Sequence, residues 1–160
     1  MNRGIWERVD RVLELTLRWG SIIFLASLWI IISAVVLVRF VPLTSMGWTD
    51  EVVEFAFAWM VFFCAAGLWR QKTHFRVEVI TEWLGGSKAG HVLEILLSVI
   101  SLVFFLVFTY EGGLLAIKAT DRSPIFEFPK TLWYLSIPIS GVIMLGYTIR
   151  DLCRLFRGRS

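Results

Sequence analysis

Four stretches of this chain run without a charged side chain for longer than a soluble fold tolerates. Trp19 to Val38 holds about 20 such residues, Phe55 to Trp69 about 15, Ile95 to Tyr110 about 16 and Thr131 to Ile149 about 19. At the 1.5 Å rise of a helix, the Phe55–Trp69 run covers ~22 Å, short of a ~30 Å hydrocarbon core. It reaches across if Val52, Val53 and Glu54 sit in one headgroup layer and Arg70 snorkels into the other. The reading is an all-α integral membrane protein with four transmembrane helices, over about 19–39, 52–70, 92–117 and 131–149. Those spans take up most of residues 1–160, which are read as one membrane domain. A mean hydropathy of +0.71 with 57% apolar residues fits a polytopic membrane chain.

The segments between the runs supply stops and surface helices. In Met1 to Arg18, Ile5, Val9, Val12 and Leu13 recur at helical spacing among Arg3, Arg8, Arg11, Glu7, Asp10 and Glu14. This predicts an N-terminal amphipathic helix on the membrane surface. Three acids and no clear small-residue cleavage site argue against a signal peptide. Val41-Pro42 ends the first helix, and Thr49-Asp50-Glu51 suits the start of the second. Phe75 to Leu84 is amphipathic, with Arg76 on its apolar face, and predicts an interfacial helix between spans 2 and 3. Gly85-Gly86 stops it. Pro138 should kink the fourth span. Glu54 and Glu111 either pair with Arg39 or Lys118 or remain solvated at headgroup level.

Orientation follows from the basic residues. Of 16 Lys and Arg, twelve fall on the side that holds the N-terminus, the 70–91 segment and the C-terminal tail. The positive-inside rule places both termini in the cytoplasm. The net charge of +3 is accounted for in this way and is no nucleic-acid signal. Cys64 and Cys153 form no disulfide or metal pattern.

The chemistry of a self-sufficient membrane machine is missing. Haem between spans needs facing histidines, and His74 and His91 both sit at the cytoplasmic boundary. A proton-coupled carrier needs an ionisable group near the midplane, yet Arg39, Glu54, Glu94, Glu111 and Lys118 all lie near span ends. Neither a nucleophile with its base nor a phosphate loop is present. No catalytic, cofactor-binding or metal-binding residue is therefore assigned, and the chain is not read as an enzyme. It is read as a subunit of something larger, with membrane lipids as its surroundings. The alternatives are a stand-alone four-span exporter and an assembly subunit of another membrane complex. The exporter is disfavoured because the first span lacks an acid.

The run Glu54, Trp59, Ala65-Ala66, Arg70, His74, Val77 resembles the small membrane subunit of tripartite ATP-independent periplasmic (TRAP) transporters, the DctQ/SiaQ type. Pro129-Lys-Thr-Leu-Trp133-Tyr134-Leu-Ser-Ile-Pro138 is a second match. The family's His-Ile-x-Val-Asp reads His74-Phe75-Arg76-Val77-Glu78 here, a conservative departure. The resemblance implies two partners. A periplasmic binding protein captures an organic acid such as sialic acid or a C4-dicarboxylate. A large subunit (DctM/SiaM type) imports it by a sodium-driven elevator motion. The small subunit would brace the large one and help dock the binding protein.

Candidate contacts with the large subunit are Trp59, Ala65, Ala66, Arg70, His74 and Arg76. Small residues permit close helix approach, within this chain as readily as between subunits. For Arg70 and His74 the alternative is interfacial anchoring. Candidate contacts with the binding protein are Trp48, Asp50, Glu51, Asp121, Arg122 and Glu127, on the loops opposite the termini.

Overall fold

A computed structural model describes residues 3–40, 47–71 and 88–157. Its helices are α1 (Arg3–Phe40), α2 (Trp48–Arg70), α3 (Lys88–Lys118), α4 (Thr131–Tyr134) and α5 (Ser136–Arg157). The protein is all-α, and among the described residues four stretches are long and apolar enough to cross a membrane: Glu7–Phe40, Trp48–Arg70, Val92–Lys118 and Thr131–Phe156. The interfacial helix expected at 75–84 lies outside the described residues.

One feature differs from the expectation, and the disturbance expected from Pro138 is present. The N-terminal amphipathic segment is not a separate surface helix. It continues without a break into the first span as one helix of 38 residues, ~57 Å long at 1.5 Å per residue. The last span is interrupted one turn in, at Leu135 between α4 and α5. Pro138 explains the position of the break. It lacks an N–H for the carbonyl four residues earlier, and its ring crowds that carbonyl. That residue is Tyr134, where α4 stops.

The closest backbone packing joins α1 to α2, α2 to α5 and α5 to α3. α5 is the most enclosed span, and α1 and α3 are the least. Phe63 lies over Gly20, and Phe24 meets Trp59 and Phe55 in turn, so α1 and α2 run antiparallel. Leu17, Ala66, Phe105 and Met144 bring the four spans together in one buried cluster, with Phe63, Trp69 and Ile143 packed around it. Trp69 meets Phe105 edge-on at 4.7 Å between ring centroids. Outward-facing side chains such as Trp29, Ile30, Val103 and Phe104 are exposed, as expected where lipid replaces a protein neighbour.

Small residues set the approach of α3 to α5. A methyl group on Gly112 would collide with Cγ2 of Ile137, and one on Gly141 with the hydroxyl of Thr109. Each helix thus offers a glycine to a β-branched side chain of the other. Ser136 and Ser140 on α5 are fully buried, which keeps this helix slim where its neighbours converge.

The adjacent glycines of α3 give a test with opposite signs. Gly112→Ala pushes a Cβ into stiff Ile137 and should lower stability by about 1–2 kcal/mol, net of its better helix propensity. A methyl group on Gly113 would meet nothing within 4 Å, so Gly113→Ala should be neutral or stabilise by up to about 1 kcal/mol. Thermal unfolding of both variants in detergent reads the difference.

Candidate functional site

The charged side chains of the bundle lie toward its two ends. At the end where α2 and α5 finish, Asp10 and Glu14 sit one turn apart on α1. Like charges at that spacing repel unless a cation lies between them. Arg70, the last residue of α2, is that cation. Its Nε donates to Asp10 Oδ1 at 3.1 Å, and its Nη2 donates to Asp10 Oδ2 at 2.8 Å and to Glu14 Oε2 at 3.0 Å. This is the forked geometry that guanidinium offers and ammonium does not.

α5 completes the cluster. The Tyr147 hydroxyl donates to Asp10 Oδ1 at 2.8 Å. Arg150 lies 3.6 Å from the same carboxylate, with its guanidinium 4.6 Å from the centre of the Tyr147 ring. Beside this cluster, the indole N–H of Trp69 donates to Thr148 Oγ1 at 3.0 Å, and Thr148 donates to Met144 O at 2.8 Å. Three helices are tied together through Asp10. The start of α1 therefore lies on the same side of the bundle as the end of α5.

At the opposite end the organising residue is Glu51, in the first turn of α2, where the helix dipole favours an acid. Its carboxylate is buried at 7% exposure. It accepts the Ile125 N–H at 2.6 Å, the Phe126 N–H at 3.2 Å and the Ser123 hydroxyl. The loop after α3 is further closed by Ser123 N to Phe128 O at 2.9 Å and Lys130 N to Asp121 O at 3.0 Å. Glu127 adopts φ 53°, the left-handed conformation that turns the chain. Lys130 lies 3.8 Å from Glu54 with both side chains accessible, so this pair contributes little. Trp59 donates its indole N–H to Leu132 O at 3.1 Å, joining α2 to α4 beside the break.

Several candidate residues are committed within this chain. Ala66 is fully buried in the chain's own core, so its close contact is internal. Arg70 is paired with Asp10 and Glu14. Glu51 faces inward and holds a loop rather than offering its carboxylate outward. Trp59 and Ala65 are partly buried. Trp48, Asp50, Asp121, Arg122 and Glu127 are exposed at the Glu51 end. Glu54 has Lys130 as its neighbour, not Arg39 or Lys118. His74 and Arg76 lie outside the described residues.

Sequence reasoning does not single out Asp10, Glu14, Tyr147 or Ser123 as site residues. Two acids one turn apart in a segment rich in arginine are the available signal for the first pair. Among the described residues, no group of three His, Cys, Asp or Glu could hold a metal ion.

Comparison with protein families gives a match to tripartite ATP-independent periplasmic transporters, DctQ component, over residues 28–158. The chain belongs to the DctQ family. It is the small membrane component of a TRAP transporter and a multi-pass membrane protein. No curated protein matches it. The DctQ match takes in Glu51, Arg70, the 119–130 loop and Tyr147. It begins at Leu28, so Asp10 and Glu14 stand on the part of α1 that precedes it.

The fork yields a quantitative test. A double-mutant cycle with Arg70→Ala and Asp10→Ala should give a coupling of about 1–2 kcal/mol, a charged hydrogen bond discounted for partial exposure. Arg70→Lys should lose most of it, because one ammonium cannot reproduce the fork. Unfolding of the chain in detergent measures the cycle. A coupling indistinguishable from zero would reduce the cluster to a surface ion pair.

Proposed function

We propose that this DctQ-type chain is the non-transporting membrane subunit of a sodium-coupled TRAP importer for an organic acid, of the sialic acid or C4-dicarboxylate class. It braces the large, elevator-type subunit and helps to seat the periplasmic binding protein. The chain resides in a bacterial inner membrane with both termini in the cytoplasm, a reading supported by the twelve-to-four distribution of its 16 basic residues.

One observation carries this reading beyond the family match. The middle stretches 21–38, 55–69, 95–110 and 131–149 contain no charged residue, and at one end of the bundle Arg70 and Arg150 pair with Asp10 and Glu14. A sodium ion and a carboxylate substrate both need polar partners at membrane depth. A bundle built like this one suits a brace, and the substrate and sodium sites then belong to the large subunit.

The bracing contact lies along α2, where Trp59, Ala65 and Arg70 keep partial access, continuing to His74 and Arg76. Ala66 takes no part in it. The binding protein meets the opposite end at Trp48, Asp50, Asp121, Arg122 and Glu127, with Glu51 holding the loop that carries three of them.

Affinity purification through a tag on this chain, expressed together with the large subunit, tests the assignment. A stoichiometric complex that survives gel filtration is expected. Recovery of this chain alone, monodisperse and folded, would count against it.

A further inference from the structure

The 121–129 loop has a tip that the binding-protein reading does not use. Ile125, Phe126 and Phe128 are 52%, 41% and 54% exposed. The rings of Phe126 and Phe128 stack at 5.9 Å with 20° between their planes, so both lie on one side of the turn made at Glu127. A loose loop would fold such side chains inward against the bundle. Here the end of Ile125 reaches Gly47 at the start of α2, while Phe126 and Phe128 stay exposed. Glu51 holds the amides of Ile125 and Phe126, and the backbone of Ser123 is bonded to that of Phe128.

The surroundings of the tip identify its occupant. Ile117, 83% exposed, and Leu132, 42% exposed, flank the loop at the ends of the two spans it joins. The apolar tip thus prolongs the lipid-facing surface of those spans. Lys118 is exposed and Lys130 is half-buried. Cations beside an apolar tip at the end of a span match the phosphate layer above an acyl region.

We propose that the 121–129 loop is a membrane anchor, with Ile125, Phe126 and Phe128 seated in the interfacial layer of the bilayer and Lys118 and Lys130 facing lipid phosphates. The anchor fixes the height of the loop against the membrane. Asp121 and Glu127 stay in water, where a soluble partner can reach them. The anchor does not depend on the large subunit, so its test stands apart from the subunit assignment.

The test uses the full chain with the exposed Cys64 and Cys153 changed to serine. A single environment-sensitive fluorophore is placed through Phe126→Cys, Phe128→Cys or, as a control, Asp121→Cys. Each labelled chain is reconstituted alone in vesicles of phosphatidylcholine and phosphatidylglycerol. Labels at 126 and 128 should emit to the blue of the label at 121. They should be quenched several-fold more by lipids carrying a shallow nitroxide than by aqueous iodide, with the reverse at 121. Adding Glu51→Ala to the label at 126 should move its quenching toward that of the control, since the loop is then released.

Labels at 126 and 128 that iodide quenches as strongly as the control would overturn the proposal. Should the periplasmic binding protein then shield those labels, the tip is a protein-docking surface instead. If Glu51→Ala does not fold, the three labels with Glu51 intact still decide the question.

Discussion

An ionic side chain next to hydrocarbon must find a partner or reach water, and the architecture of this chain follows from where its charges can do so. Arg70 ends α2 at one membrane boundary. Its fork onto Asp10 and Glu14 fastens α1 to α2, and the Tyr147 hydroxyl brings α5 to the same carboxylate. Removing Arg70 would leave two acids one turn apart, with Arg150 at the longer distance of 3.6 Å from Asp10. At the other boundary the logic is repeated with an acid. Glu51 gathers two amides and a hydroxyl, and so gives a loop between spans a fixed form.

Between these ends the spans are held by fit. Lipid tails are as apolar as leucine, so burial alone gives helices little reason to associate. Close approach supplies the contact instead. Gly112 receives Ile137, Gly141 receives Thr109 and Gly20 receives Phe63. Ala66 disappears completely among Leu17, Phe105 and Met144. These contacts are apolar or involve single hydroxyls. The bundle is thereby close-packed in its middle and charged at its two ends.

The spans are legible in the sequence because lipid imposes a length and forbids charge, and both can be counted along the chain. Two other features are not. The first helix runs on through charged residues because Asp10 and Glu14 find Arg70, 60 and 56 residues away, and no local pattern reveals a pairing of that range. The same blindness applies to Glu51, whose ligands lie more than 70 residues on. A small residue such as Ala66 announces close packing but not its partner, and the partner is this chain itself. Pro138 is legible as a disturbance. Its effect falls at Leu135, because proline acts on the carbonyl one turn behind it.

Membership of the DctQ family and a bundle without charge in its middle both support the proposal that solute moves through a neighbouring subunit. The most direct test is uptake into sealed vesicles under an imposed sodium gradient, with radiolabelled sialic acid and C4-dicarboxylates bound to their periplasmic carrier. Vesicles holding this chain alone should take up no more than protein-free vesicles, and uptake should require the large subunit. Gradient-driven uptake by this chain without that subunit would contradict the assignment.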